Sequence, residues 1–511
     1  MQTKIDILRD TFGFTTFRPS QERIIDATLG GRDVLAVMPT GGGKSLCYQI
    51  PALLTDGVTF VISPLISLMK DQVGALRQSG VAAAFLNSTL TPGQYRKALS
   101  NAATGMYKII YIAPERLVSP DFIAFAMAYP PARIAVDEAH CVSQWGRDFR
   151  PSYLDIRAFV DSLPARPTLA AFTATATERV RRDIVDLLGL RDSVRAVESF
   201  DRPNLFFEVI RGRGGRERDE LLLSILAQRY GQSGIIYCST RKAVDAVCDM
   251  LCQHGVRAAR YHAGLSDDER RMNQDAFAID DTPVLVATNA FGMGIDKSNV
   301  TFIIHYNMPG DLESYYQEAG RAGRDGSDAL CCLLFAPADI FVRRSLIEHS
   351  DEARDPESLR RARARLEDMI AYAKATDCLR ARLLRYFGEK PPIRCESCSN
   401  CQAQMSAAST LKPVLKPELK PAEPRPLPRE RSRKPVLTMS VDAELFERLK
   451  ALRLAIAKAQ GIPAYMVFSN ATLEDMCRKR PQTMTAMLAV TGVGEHKASA
   501  YGAQFLYELR G

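Results

Sequence analysis

Short runs of aliphatic and β-branched residues alternate with stretches of helical period from about residue 20 to 340, and this alternation restricts the fold most. Strand-like runs occur at residues 33–38, 59–63, 108–112 and 134–137, and again at 233–238, 283–288 and 300–305. Because parallel strands need helical crossovers, the alternation predicts doubly wound parallel sheets. The pattern pauses at residues 199–204, which are typical of a connector. The sequence therefore predicts an α/β protein with two lobes and a boundary near residue 205.

The rest of the chain divides into smaller units. At roughly 150 residues per domain, 511 residues allow about three or four folded units. An arginine-rich helical stretch ends in a cysteine cluster, and a basic, proline-rich segment typical of an extended linker follows it. The predicted units are lobe 1 (1–204), lobe 2 (205–340), a helical metal-binding subdomain (341–402), the linker (403–437) and a small all-helical domain (438–511).

Composition excludes some classes of protein. No run of about 18 apolar residues could span a bilayer, and the N-terminal residues lack the apolar core of a signal peptide. We therefore expect a soluble, cytoplasmic protein with no membrane partner. The net charge of +8 suits a polyanionic partner but is common in proteins that never bind nucleic acid.

A glycine-rich segment follows the first predicted strand and precedes a helical stretch. It consists of Thr40, Gly41, Gly42, Gly43, Lys44 and Ser45. In this context backbone N–H groups at a helix N-terminus cradle phosphates, while Lys44 reaches the β- and γ-phosphates and Ser45 a magnesium ion. The full pattern has glycine where this chain has Met38, so an ordinary turn with a helix cap is the alternative.

Two further motifs suit phosphoryl transfer. Asp137 and Glu138 end an apolar strand, where the first can hold magnesium and the second can activate the attacking water. Acidic residues at strand ends are usually only solvated, but the position after the phosphate loop favours this role. Gln317, Arg321 and Arg324 follow the last strand of the second lobe, where an arginine can stabilise the transferring phosphoryl group from across the cleft. Arg324 is the preferred finger, with Arg321 as sensor or alternative.

The order and spacing of these motifs resemble superfamily 2 helicases, and further segments resemble the RecQ family over residues 8–401 and 440–509. Those segments are 12–21, 63–72, 113–117, 172–177 and 287–296. The resemblance implies a helicase that uses ATP and Mg²⁺ to move 3′ to 5′ on single-stranded DNA. By the same resemblance, Phe14 and Arg18 sandwich the adenine and Gln21 hydrogen-bonds the base, an arrangement that suits a planar purine. Asp296 is assigned to nucleotide binding, and the residues assigned to DNA are Ser239, Arg241 and Thr288.

Residues 141–150 resemble the RecQ aromatic-rich loop, which couples single-strand contact to ATP hydrolysis. Trp145 and Phe149 offer stacking surface for unpaired bases, worth about 1–3 kcal/mol per base. A lone tryptophan is more often a core residue, but the polar neighbours predict an exposed loop. Arg147 and Arg150 are assigned to DNA binding, and Arg147 is expected to bind a phosphate. Many relatives carry His where this chain has Arg147.

Four clustered cysteines predict a metal site. They are Cys378, Cys395, Cys398 and Cys401. Four thiolates with Cys-x-x-Cys spacing suit a closed, tetrahedral zinc site, and an iron–sulfur cluster is the alternative. The RecQ resemblance favours Zn²⁺, and a colourless preparation would exclude iron.

The C-terminal unit resembles the helicase-and-RNase-D C-terminal domain at residues 463–468 and 488–494. Amides of residues 491–494 could bind a phosphate, and we expect weak DNA binding by this domain alone. Typical RecQ proteins place a winged-helix domain after the zinc site. In this chain only the linker follows the zinc site, so the resemblance predicts a form without the winged-helix domain. We expect basic residues of 411–435 to bind phosphates nonspecifically.

Three functions stay open from the sequence. The first is a monomeric DNA helicase of repair and recombination, acting on single-stranded and partly duplex DNA in a bacterial-type cytoplasm beside the nucleoid, with a single-strand DNA-binding protein as candidate partner. The second is an ATPase that unwinds RNA or anneals strands. The third is a tethering protein with a vestigial motor, against which the complete set of Lys44, Asp137, Glu138 and Arg324 counts.

Overall fold

The computed structural model describes residues 2–145, 148–212, 214–291, 297, 299–350, 353, 355–410, 442–460 and 462–510. Three sequence predictions fall outside these residues, namely those for Arg147, for Asp296 and for residues 411–437 of the linker.

The first lobe is built on a seven-stranded parallel sheet. Its strands are β1 (Val34–Val37), β2 (Thr59–Ile62), β3 (Ala83–Leu86), β4 (Ile109–Ile112), β5 (Arg133–Val136), β6 (Thr168–Thr173) and β7 (Val194–Val197), in the spatial order β3-β4-β2-β5-β6-β1-β7. Its helices are α1 (Lys4–Phe12), α2 (Pro19–Leu29), α3 (Lys44–Leu54), α4 (Ile66–Gln78), α5 (Pro92–Ala103), α6 (Pro120–Ala128), α7 (Asp155–Ser162) and α8 (Glu178–Leu188). The central strands are buried on both faces, because helices cover both sides of the sheet.

The second lobe repeats this architecture with six parallel strands. They are β8 (Leu205–Arg211), β9 (Ser233–Tyr237), β10 (Ala258–Tyr261), β11 (Val284–Ala287), β12 (Val300–His305) and β13 (Ala329–Phe335), in the order β10-β11-β9-β12-β13-β8. Its helices are α9 (Arg216–Ala227), α10 (Arg241–Gln253), α11 (Asp267–Ala278) and α12 (Leu312–Ala319). Two parallel-sheet lobes confirm the predicted α/β class. The chain changes sheet between β7 and β8.

Four helices form the subdomain that carries the cysteines. They are α13 (Ala338–Glu348), α14 (Pro356–Ala373), α15 (Leu379–Tyr386) and α16 (Ser399–Thr410). Helix α16 continues into the segment predicted as linker from residue 403, which corrects that boundary. The physical reason is local: residues 402–410 are rich in Ala, Gln and Met, which favour helix, and the first proline comes at position 413.

The C-terminal domain is all-helical, as the sequence predicts. Its helices are α17 (Ala443–Gln460), α18 (Ala464–Val467), α19 (Asn470–Lys479), α20 (Met484–Leu488) and α21 (Glu495–Arg510). It has its own core, in which Phe468 packs edge-on against Phe505 at 4.9 Å between ring centroids. Across the described part of the chain, no helix has the length and apolar character to cross a membrane.

Candidate active site

The glycine-rich loop joins β1 to α3 and takes a shape that only glycine adopts easily. Gly43 has φ 78° and caps α3, and the Gln21 side-chain amide donates to the carbonyl oxygen of Gly42 at 3.2 Å. A Cβ on Gly43 would overlap that amide. Lys44 Nζ donates to the carbonyl oxygen of Met38 at 3.1 Å, which holds its ammonium group over the loop. The loop is therefore shaped to receive phosphates at a helix N-terminus.

The predicted carboxylates stand at the carboxyl end of β5, beside that loop. Burial and the neighbouring Glu138 raise the pKa of Asp137. Burial alone would raise the pKa of Glu138 as well, but His140, Lys44 and Arg321 together hold it below its usual range. Glu138 is therefore kept as the carboxylate that a water-activating base requires.

A chain of polar contacts runs from this pair to the carboxyl end of β6. His140 Nδ1 lies 3.3 Å from Glu138 Oε2 and 2.9 Å from Thr173 Oγ1. The Thr173 hydroxyl also donates to the carbonyl oxygen of Thr175 at 3.0 Å. Residues 172–177, one of the segments that resemble the RecQ family, are thus linked to the carboxylate pair through His140.

The second lobe reaches the same loop. Gln317 and Arg321 are buried, and the Arg321 charge acts on Glu138. A methyl group on Gly41 would lie 3.6 Å from the Cα of Arg324. A nucleotide bound at the loop would therefore meet both lobes.

Arg202, in the connector between the lobes, was missed by the sequence reasoning. Its guanidinium donates to the carbonyl oxygen of Thr40 at 2.9 Å and to that of Gly323 at 2.7 Å. Burial lowers its pKa. Nothing in the sequence around it marks this role, because both partners are carbonyl groups that are remote along the chain.

The three residues proposed to hold the base have different environments, and the side chain of Arg18 is exposed. Phe14 is exposed to 41% and lines a cavity beside Gly43 and Ser45. Gln21 is buried, and its Oε1 accepts from the Arg18 backbone N–H at 3.0 Å at the start of α2. The exposed ring is free to stack, whereas the amide already orders the phosphate loop.

Trp145 is half-buried, which differs from the exposed loop expected. The Cζ atoms of Arg179 and Arg361 lie 3.0 Å and 4.9 Å from its ring centroid, a cation–π arrangement. Arg361 belongs to α14, more than two hundred residues later, so sequence reasoning had no signal for it. The aromatic loop is thereby held by the cysteine-bearing subdomain.

The other predicted DNA contacts divide between the lobes. Phe149 is half-buried, and Arg150 donates to the carbonyl oxygen of Pro64 at 2.9 Å, which ties the aromatic loop to segment 63–72. In lobe 2, the Ser239 N–H donates to the side-chain oxygen of Asn307 at 3.1 Å, in a small cleft that Asn289 also lines. Thr288 is buried, and Arg241 is exposed at the start of α10. The sequence reasoning missed both asparagines.

The four cysteines meet as predicted. The sulfurs of Cys378, Cys395, Cys398 and Cys401 lie within 4.8 Å of one another. Burial acts to raise the pKa of Cys395, but hydrogen bonds from Ser397 and the neighbouring thiols lower it to about 7. Four converging sulfurs, one already inclined to the thiolate, fit a closed tetrahedral zinc site.

Two RecA-like lobes with a phosphate loop, paired carboxylates and arginines from the second lobe define an ATP-dependent motor of superfamily 2. The family models agree: DEAD/DEAH box helicase matches residues 18–184, Helicase conserved C-terminal domain 217–326, RecQ zinc-binding 337–402 and HRDC domain 442–509.

Individual proteins narrow the class. The chain is 38% identical to the ATP-dependent DNA helicase RecQ of Bacillus subtilis, over 99% of this chain and 98% of the relative. It belongs to the RecQ family and is an ATP-dependent DNA helicase that requires ATP and Mg²⁺ and carries a four-cysteine site for Zn²⁺.

Two solved structures share the fold at low identity. Mycobacterium smegmatis Lhr bound to ssDNA and AMP-PNP has a TM-score of 0.53 and 18% identity, over 92% of this chain and 73% of that one. Mss116p bound to ssRNA and AMP-PNP has a TM-score of 0.57 and 16% identity, over 75% and 89%.

Proposed function

We propose that this helicase moves 3′ to 5′ along single-stranded DNA and separates the strands ahead of it. The observation that carries the motor in this proposal is the meeting of both lobes at one loop, where Arg324 approaches Gly41 and the charge of Arg321 acts on Glu138. The direction of movement rests on the resemblance to the RecQ family. A nucleotide there closes the cleft, and hydrolysis removes the link between the lobes. Repeated closure turns phosphoryl transfer into steps along the strand.

Each residue of the site has a distinct task in this proposal. Lys44 binds the β- and γ-phosphates, Ser45 and Asp137 hold the magnesium ion, and Glu138 orients and deprotonates the attacking water. Gln317 and Arg321 position the groups around that water, and Arg324 stabilises the charge of the transferring phosphoryl group. The magnesium ion, when bound, neutralises charge on the phosphate oxygens.

We assign the base and the DNA strand to separate sets of residues. Phe14, Arg18 and Gln21 hold the adenine, and Asp296 is assigned to the nucleotide by the family pattern. We assign the strand to Trp145, Arg147, Phe149, Arg150, Ser239, Arg241 and Thr288. Bases stack on the aromatic side chains, and the polar groups meet the phosphates.

The proposed oligomeric state, cellular process and partners rest on the resemblance to the family and not on any single contact. We infer that the protein works as a monomer in DNA repair and recombination, in a bacterial-type cytoplasm close to the nucleoid. Its substrates are single-stranded and partly duplex DNA, and a single-strand DNA-binding protein is the candidate partner.

RNA is the second candidate substrate, because Mss116p, which shares the fold, is seen bound to ssRNA. The test is steady-state ATP hydrolysis with single-stranded DNA or RNA of the same sequence. We expect DNA to stimulate hydrolysis more strongly, and Lys44→Ala to reduce it by about 10²-fold or more, whereas the exposed control Lys97→Ala does not. Stimulation by RNA alone would transfer the proposal to RNA, and stimulation by neither would exclude a nucleic-acid motor.

A further inference from the structure

The C-terminal domain packs closely against the first lobe. The Gly492 N–H donates to the carbonyl oxygen of Gly13 at 2.7 Å. A Cβ on Gly494 would lie 2.8 Å from the carbonyl oxygen of Thr11, and one on Gly13 would overlap the backbone of Val493. The amide at Gly492, which the sequence suggested for a DNA phosphate, is therefore used in binding the motor.

The same domain also touches the second lobe. Lys458 Nζ lies 2.5 Å from Asp281 Oδ1. Burial acts to raise the pKa of Asp280, but Lys297 and Ser233 lower it, with a smaller contribution from the charge of Arg453. Tyr465 lines a small cavity together with Phe277 of α11. The domain thus bridges the two lobes.

A second cavity lies between this domain and the phosphate loop. Its volume is about 390 Å³, within the roughly 300–1,000 Å³ typical of small-molecule sites. Lobe 1 lines it with Phe14, Gly43 and Ser45, and the C-terminal domain with Tyr465, Thr472 and Lys497. The cavity therefore joins the exposed ring proposed for the adenine to the start of the helix that binds the phosphates.

Lys497 gives the side of the cavity formed by the C-terminal domain a positive charge. Its side chain is half-buried, and desolvation lowers the pKa of its ammonium group to about 8. Within the described ranges, no carboxylate forms an ion pair with it. A cation that has lost water without gaining a counterion favours an anionic ligand.

We propose that the C-terminal domain forms one wall of the nucleotide site, where Lys497 contacts the ATP bound at the phosphate loop. This proposal rests on the proposed function, since it takes the loop as the ATP site. It gives the domain a task in nucleotide binding that does not depend on DNA.

The test is the affinity of the full-length protein for a fluorescent, non-hydrolysable ATP analogue in the absence of DNA. Lys497→Met should weaken binding by about tenfold, the value of one charge-assisted hydrogen bond to a phosphate, and Lys497→Arg should restore most of it. The matched control Arg510→Met removes an exposed charge from the same helix and should leave affinity unchanged. Unaltered thermal unfolding of Lys497→Met would show that the loss is not a folding defect.

Lys44→Ala separates this inference from the proposed function. If Lys44→Ala abolishes binding while Lys497→Met leaves it unchanged, ATP binds at the phosphate loop, and the proposed contact of Lys497 with ATP is overturned. Equal losses in Lys497→Met and Arg510→Met would mean a general charge effect and would also overturn it. If neither Lys44→Ala nor Lys497→Met weakens binding, the ATP site itself is wrongly placed.

Discussion

At Glu138 the backbone takes φ 47°, a left-handed conformation that costs a non-glycine residue on the order of 1–3 kcal/mol. The side chain is held by His140, and the Arg321 charge stabilises its ionised form. Such strain persists only when the surroundings impose it, and here it directs a carboxylate towards the phosphate loop. This conformation suits the water-activating role that we propose for Glu138.

Arg324 should matter for hydrolysis much more than for binding. Because an arginine finger acts on the charge of the transition state, Arg324→Ala should lower the DNA-stimulated kcat by about 10³-fold and change nucleotide affinity little. The control is Arg216→Ala, which removes a fully exposed arginine from the same lobe. A loss of affinity equal to the loss of kcat would place Arg324 in ground-state binding instead.

Arg361 should control the environment of Trp145, the chain's only tryptophan. Removing one of the two guanidinium groups on the ring in Arg361→Ala should change the Trp145 emission before DNA is added. Arg363→Ala, on the exposed face of the same helix, is the control. Identical spectra for wild type and Arg361→Ala would show that the contact is absent in solution.

Sequence reasoning reached those site residues that belong to contiguous motifs, such as Lys44 and Asp137. It did not reach Arg202, Arg361 or Arg380, whose partners are backbone carbonyls or rings far away along the chain. A guanidinium that binds a carbonyl leaves no pattern in the sequence, because every residue carries a carbonyl. The prediction of an exposed Trp145 was wrong because the arginines on its ring, Arg179 and Arg361, come from helices α8 and α14 and leave no local pattern.

Helix α15 links the cysteine site to the connector between the lobes. Cys378 caps this helix, and Arg380, two residues later, donates to Asp201 Oδ1 and to the carbonyl oxygens of Arg202 and Leu205, each at 2.6 Å. Phe387, which follows the helix, stacks on Phe200 at 4.3 Å. The subdomain therefore holds the connector in place.

Removing the Arg380 side chain should destabilise the connector between the lobes. Arg380→Ala leaves buried carbonyl groups without a donor, which costs about 1–3 kcal/mol, so the midpoint of thermal unfolding should fall by about 5 °C. Arg382→Ala, which removes an arginine paired with Asp377 at the surface of the same helix, is the control. If both variants melt alike, the connector is held by other contacts.

The seven strands named from the sequence lie within a residue or two of the observed ones, since continuous apolar runs identify buried parallel strands. The other six strands, β3, β6, β7, β8, β10 and β13, were not named. The end of α16 was not predicted, because helix formers directly before a proline-rich segment suit either state. Cap residues mark helix ends well only where the chain turns sharply. Segment 402–410 offers neither a glycine nor a proline.

At the scale of the whole molecule, the main feature is that the C-terminal domain contacts both lobes of the motor. The zinc-binding match ends at residue 402 and the HRDC match begins at 442, and the C-terminal domain bridges both lobes. The sequence could not predict this docking, because neither partner surface has a distinctive pattern. We expect strand separation to be driven by the two lobes and the aromatic loop, without a winged-helix domain.

The most direct test of the central claim is unwinding of a DNA duplex with a single-stranded tail at one 3′ end, compared with the same duplex tailed at a 5′ end. We predict ATP-dependent strand separation with the 3′ tail, little with the 5′ tail, and none with Glu138→Gln, which keeps the side-chain shape and loses the base. Unwinding from the 5′ tail would contradict the direction. ATP hydrolysis stimulated by DNA with no separation of either duplex would contradict the helicase mechanism itself.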